Sequence, residues 1–161
     1  MSRVKSTRPL RTLALGLLGL LALAAPGVAS AAEPVLVPEF TPASPDEFAI
    51  TAMLSSQVQD RLLADGLIVL TEPLVQPVVG TALQNCAARA GCPSDVLPRI
   101  PARMAVVVMV ARAADGTLVG YLRLFVGADP RPALGRDLPI LPGQEAMFSD
   151  QVSMEIGRAH V

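Results

Sequence analysis

Met104 to Ala111 reads MAVVVMVA, eight consecutive apolar residues rich in valine. An apolar run of this length suits a strand. With no polar alternation, it predicts a central strand buried on both faces. Such a strand needs helices above and below its sheet, which points to an α/β chain. Asp115-Gly116 follows as a hairpin signal, and Thr117 to Val126 (TLVGYLRLFV) is expected to be the antiparallel partner.

Upstream, strand and helix patterns alternate. Val35 to Phe40 reads as a first strand, irregular at Pro38, which has no donor N–H. Ser44-Pro45-Asp46-Glu47 has the form of a capping box with proline at the first helical position. Ile50, Leu54, Val58 and Leu62, with Met53 beside them, give the helix of about 20 residues one apolar face, and Gly66 can end it. Leu67 to Leu70 is a short apolar strand. Thr71 opens a second helix with Leu74/Val75, Val78/Val79, Ala82/Leu83 and Cys86 on one side, and Pro77 must lie near its first turn or kink it. Gly91 ends that segment, and the three prolines from Pro93 to Ala102 allow a turn or two of helix. Gly127 to Gly143, with four prolines, is expected to be loop. Gln144 to Glu155 predicts a last helix with Met147, Phe148 and Val152 inward. The expected fold class is α/β, a β-α-β-α-β-β mixed sheet with helices packed on it, its parallel strands joined by right-handed crossovers.

Both ends of the 161 residues read differently from the middle. Arg3, Lys5, Arg8 and Arg11 precede an apolar run from Leu13 to Ala25, then Pro26-Gly27 and Ala29-Ser30-Ala31. This is the pattern of a secretory signal peptide over residues 1–31, cleaved after Ala31. No cysteine lies near that point and no twin arginine precedes it, so the general secretion route is expected and a lipoprotein is not. The last six residues, Ile156 to Val161 (IGRAHV), resemble the translation of a common sequencing adapter. They are expected to be a foreign tail, with the native chain continuing past Glu155. That leaves a single α/β domain over 32–155, with its core in 34–126 and a loop and helix in 127–155.

The 13 Lys and Arg against 14 Asp and Glu give a net charge of −1, but the leader carries four of the bases. Residues 32–155 hold 8 Arg against 14 acids, a net charge of −6, and no lysine. This excludes a basic nucleic-acid binder, and 52% apolar residues exclude a disordered tail.

Chemistry-bearing motifs are sparse. Cys86 and Cys92 are an even pair in a secreted chain, which favours a disulfide closing a seven-residue loop. A redox role prefers the tighter C-x-x-C spacing, and zinc needs about four ligands. The single His lies in the tail, so Ser-His-Asp and Cys-His arrangements are not expected. Lysine-dependent Schiff bases, phosphate-binding loops and calcium loops are likewise not expected. Asp46 and Glu47 fit helix-start acids, and Asp60 and Asp65 the solvated side of the first helix. No catalytic, cofactor or metal-binding residue is assigned. Tyr121, Arg123 and Phe125 share one face of a strand that can lie at the sheet edge, residue types enriched at protein contacts. The competing arrangement is a helix covering all three, with Arg123 reaching past it to water.

The succession VLVPEF, a capped helix, ADGLIVL, a second helix and MAVVVMVARAADGTLVGYLRLF resembles the amino-terminal α/β domain of TolB and the related CsgG-like and FlgO-like envelope domains. It also resembles secreted uncharacterised myxobacterial proteins with two cysteines before the apolar strand. The likeness spans about Pro34 to Val126, and the proline-rich 93–101 stretch departs from it. It implies a TolB-like fold and a non-enzymatic periplasmic or secreted protein acting through contacts with envelope proteins, often followed by further domains. The leading expectation is therefore an interaction or assembly module at the amino-terminal end of a longer envelope protein, without cofactor or nucleic acid and not membrane-spanning after leader cleavage. A ligand-binding sensory domain ahead of a transmembrane segment is the alternative. A third possibility is an enzyme whose catalytic residues lie beyond Glu155.

Overall fold

The computed structural model describes residues 33–84, 86 and 92–159. The leader, Gly91, His160 and Val161 lie outside them. Elements run β1 (Val35–Leu36), β2 (Thr41–Pro42), α1 (Phe48–Ala64), β3 (Val69–Leu70), α2 (Glu72–Val79), α3 (Cys92–Val96), β4 (Met104–Arg112), β5 (Leu118–Val126), β6 (Leu134–Ile140) and α4 (Glu145–Ala159). The sheet order is β3-β1-β4-β5-β6, with β2 also on β4. Pairs β1/β3, β1/β4 and β2/β4 are parallel; β4/β5 and β5/β6 are antiparallel. The α/β fold with a mixed sheet is the expected one.

The MAVVVMVA run is the centre of it. Met104, Val106, Val108 and Val110 face one layer, while Ala105 and Val107 face the other. On the first face, α1 brings Leu54, Val58 and Leu62, and α4 brings Phe148, Val152 and Ile156. On the second, α2 and the short helices after it bring Val75, Val79, Leu83, Val96 and Leu97. Two buried faces leave no solvated side for β4 to display, which is why its sequence does not alternate.

Four differences from expectation have physical causes. The first strand is interrupted: Val35 pairs with Met104, but Thr41 pairs with Met109. The β1–β2 segment thus spends one extra residue over this span, a bulge around Pro38. The stretch 127–143, expected as loop, contains β6. Pro139 stands inside β6 opposite Val119, tolerated because β6 has a ladder partner on one side only, among the described residues. Consequently β5 is an inner strand, and Tyr121, Arg123 and Phe125 are not at the sheet edge. Finally, Met147 points outward from α4, and Leu74, Val78 and Met53 are exposed. The buried stripes repeat at four-residue steps, Val75-Val79-Leu83 and Phe148-Val152-Ile156, narrower than the sequence pattern suggested.

Local signals otherwise hold. The Glu47 carboxylate accepts hydrogen bonds from the Ser44 N–H (2.8 Å) and hydroxyl (2.6 Å), anchoring a turn of 3-10 helix ahead of α1. Gly66 ends α1 at φ 82°. Pro77 lies inside α2, which stops two residues later and tightens into a 3-10 turn over Gly80–Leu83.

Candidate functional site

The two cysteines close a disulfide, Cys86–Cys92, with Cα atoms 5.2 Å apart. Both residues are buried in the second core layer. The bond ties the end of the α2 segment to α3, just before the chain enters β4.

The stripe on β5 is divided by its surroundings. Phe125 is buried among the second-layer residues and pairs with Ala105. Tyr121 and Arg123 are half-buried. Tyr121 stands between Met109 on β4 and Asp137 on β6. Arg123 crosses Gly135, where even a Cβ would sit 3.3 Å from its Cδ. Its guanidinium donates to the Leu122 carbonyl (2.8 Å), the Arg136 carbonyl (3.2 Å) and Asp137 Oδ1 (3.2 Å). Neither expected arrangement describes all three residues: one is covered, and two form a half-open sheet face beside the edge strand.

A cleft of about 300 Å³ opens at the carboxyl end of β1 and β2, between β2 and the free flank of α1. Its origin lies in the strand lengths. β3 stops at Leu70 and turns into α2, so nothing continues beside β2 on the side away from β4. Glu39, Phe40, Phe48, Thr51, Ser55 and Gln59 form its walls. Phe40 is buried and meets Phe148 edge to face at 6.5 Å. Phe48 is 67% exposed at the rim. Thr51 and Ser55 are over nine-tenths buried, and their hydroxyl oxygens have no hydrogen-bond partner. None of these residues was singled out from the sequence as part of a site. The signal was present, since positions 51, 55, 58 and 62 share one helical face and two of them carry hydroxyls among aliphatic neighbours.

A second cleft, about 470 Å³, lies under the β4–β5 hairpin and includes Arg112, Asp115, Ile140 and Glu145. Its polar groups are already engaged. Arg112 donates to the Gly116 carbonyl at 2.9 Å, and the Asp115 carboxylate accepts from the Thr117 N–H at 2.9 Å. The hydrogen bonds from Thr117 hold the Asp115 carboxyl below its ordinary value of 3.8. Glu145 accepts from the Gly143 N–H at 3.1 Å. Among the described residues, no group of three or more His, Cys, Asp or Glu side chains is placed to hold a metal ion. No helix among them is long and apolar enough to cross a membrane.

No protein-family model matches the chain, and no curated protein matches it. Among solved structures, the fold is similar to that of lipoprotein GNA1162 from Neisseria meningitidis. The TM-score is 0.51 at 17% identity, over 78% of this chain and 96% of that one. That likeness is one of fold.

Proposed function

We propose that the domain is a non-catalytic, extracytoplasmic interaction or assembly module of the cell envelope, part of a longer protein. The half-open face of Tyr121 and Arg123 beside the one-sided edge of β6 carries this reading. A tyrosine and a pinned arginine on a rigid sheet lose little conformational freedom on binding a protein partner. The leader pattern and the Cys86–Cys92 disulfide support the oxidising compartment. The resemblance to TolB, CsgG-like and FlgO-like domains, and a fold shared with an envelope lipoprotein, fit the same location. The test uses the disulfide-bonded chain as bait in envelope extract. A partner retained by the unmodified chain and by Asp60→Ala, but lost with Tyr121→Asp, supports the reading. Retention indifferent to Tyr121, or no retained partner, overturns it.

The cleft beside β2 favours a second reading, a small-ligand sensory domain. Its volume is at the lower end for small-molecule sites, and it lies outside the carboxyl ends of parallel strands. Ligand-dependent stabilisation of the folded chain by any small molecule bound there checks this reading.

A further inference from the structure

We infer that the cleft between β2 and α1 binds a small organic ammonium ion with an aromatic or aliphatic body; this rests on the ligand-binding reading of the cleft. The sign of the charge follows from the walls. Glu39 supplies a carboxylate, and among the described residues no Lys, Arg or His lines the cleft. The electropositive start of α1, which would otherwise favour an anion, is occupied by the chain's own acid. Glu47 is buried there and accepts both Ser44 donors. An entering anion would therefore face the Glu39 carboxylate, with no cation among the described lining residues to meet it. The net charge of −6 over residues 32–155 adds a field of the same sign.

The body of the ligand is set by Phe48 and Phe40. Phe48 holds its ring at the rim, 67% exposed, where an ammonium gains a cation–π contact and an apolar body covers the ring. Phe40 closes the floor and is held against Phe148. Thr51 and Ser55 supply the remaining polar groups. Their hydroxyls are covered and unpartnered at rest. An N–H donor of a ligand in the cleft that reached either oxygen would be its first partner.

A peptide strand added to β2 is the competing occupant, and the edge argues against it. The Ala43 N–H bonds to the Val110 carbonyl, so the neighbouring residue, Pro42, faces the other way. Proline has no N–H to offer there, and the bulge around Pro38 bends the edge below it. A ligand held by side chains fits this wall better than one held by a backbone ladder.

The test is a titration of the isotope-labelled, disulfide-bonded chain followed by amide shifts. The probes are benzylammonium, benzyl alcohol and benzoate. Benzylammonium should give saturable shifts at Glu39, Thr51 and Ser55, benzyl alcohol should bind about tenfold more weakly, and benzoate should give none. Glu39→Gln, at an exposed position, should erase the preference for ammonium over alcohol. Ser55→Ala should weaken ammonium binding without lowering the melting temperature. Equal binding of ammonium and alcohol, or a preference that survives Glu39→Gln, overturns the ammonium assignment and leaves the ligand-binding reading standing. No saturable shift with any probe overturns both.

Discussion

Gly120 shows how one missing methylene places a core aromatic. It lies inside β5, where glycine weakens a strand unless something approaches closely. Phe148 of α4 does so: a Cβ built on Gly120 would collide with its ring. Phe148 is fully buried and braces Phe40 in turn. Gly120→Ala should therefore destabilise the fold by about 1–3 kcal/mol, the cost of overpacking. Combining it with Phe148→Leu should recover part of that loss relative to the sum of the single changes, read by denaturant unfolding. Thr51 has the opposite prospect. Its hydroxyl is buried without a partner, so Thr51→Val removes a desolvation cost and keeps the shape. The ligand-free domain should gain about 1 kcal/mol. Asp115 links the hairpin to pH. Its folded pKa is depressed by Thr117, so its stabilising effect is present above the unfolded value near 3.8 and is lost as pH falls through the folded one. The stability difference between the unmodified chain and Asp115→Ala should shrink over that acidic window. A difference constant down to the acid transition would contradict this.

At the level of elements, legibility followed the strength of the local signal. α1 was readable because cap, proline, acid and apolar stripe all agree at Ser44 to Leu62, and the Glu47–Ser44 bonds show the cap at work. β4 was readable because full burial leaves only apolar residues. β6 was not. It is an edge strand with Gly135, Arg136, Asp137 and Pro139 in seven residues, and its pairing comes from β5 rather than from its own composition. Tertiary pairing of this kind has no local signature. The cleft was hidden for a related reason. It exists because β3 is two residues long, and strand length is decided where α2 departs at Thr71. The disulfide was readable from the cysteine count and the leader pattern alone. Its energetic role belongs to this scale, because it staples the short helices between α2 and β4, which have too few residues to be stable as helices by themselves. Cys86→Ser with Cys92→Ser should cost about 2–2.5 kcal/mol on the chain-entropy estimate for a seven-residue loop. Melting of the oxidised and reduced chain side by side measures it. Equal melting temperatures would mean that packing of Val96 and Leu97 suffices.

Among the described residues, the sheet is closed on its first face by α1 and α4, and charged side chains bridge the two helices outside that seam. Arg61 of α1 pairs with Asp150 of α4 at 3.3 Å, and the Ser153 hydroxyl donates to Asp65. Glu155 lies between Arg136 of β6 and Arg158. These exposed pairs contribute little each, and the buried stripe beneath them sets the helix in place. That stripe continues past Glu155: Ile156 is fully buried, four residues after Val152 and eight after Phe148. Position 156 faces the same core as Val106 and Val108 and has no room for an unpaired charge. Within the present chain, Ile156→Asp should destabilise the domain by more than Ile156→Ala, which itself should cost about 2–4 kcal/mol. An Ile156→Ala variant as stable as the parent would mean that Phe148 and Val152 alone hold α4 in place.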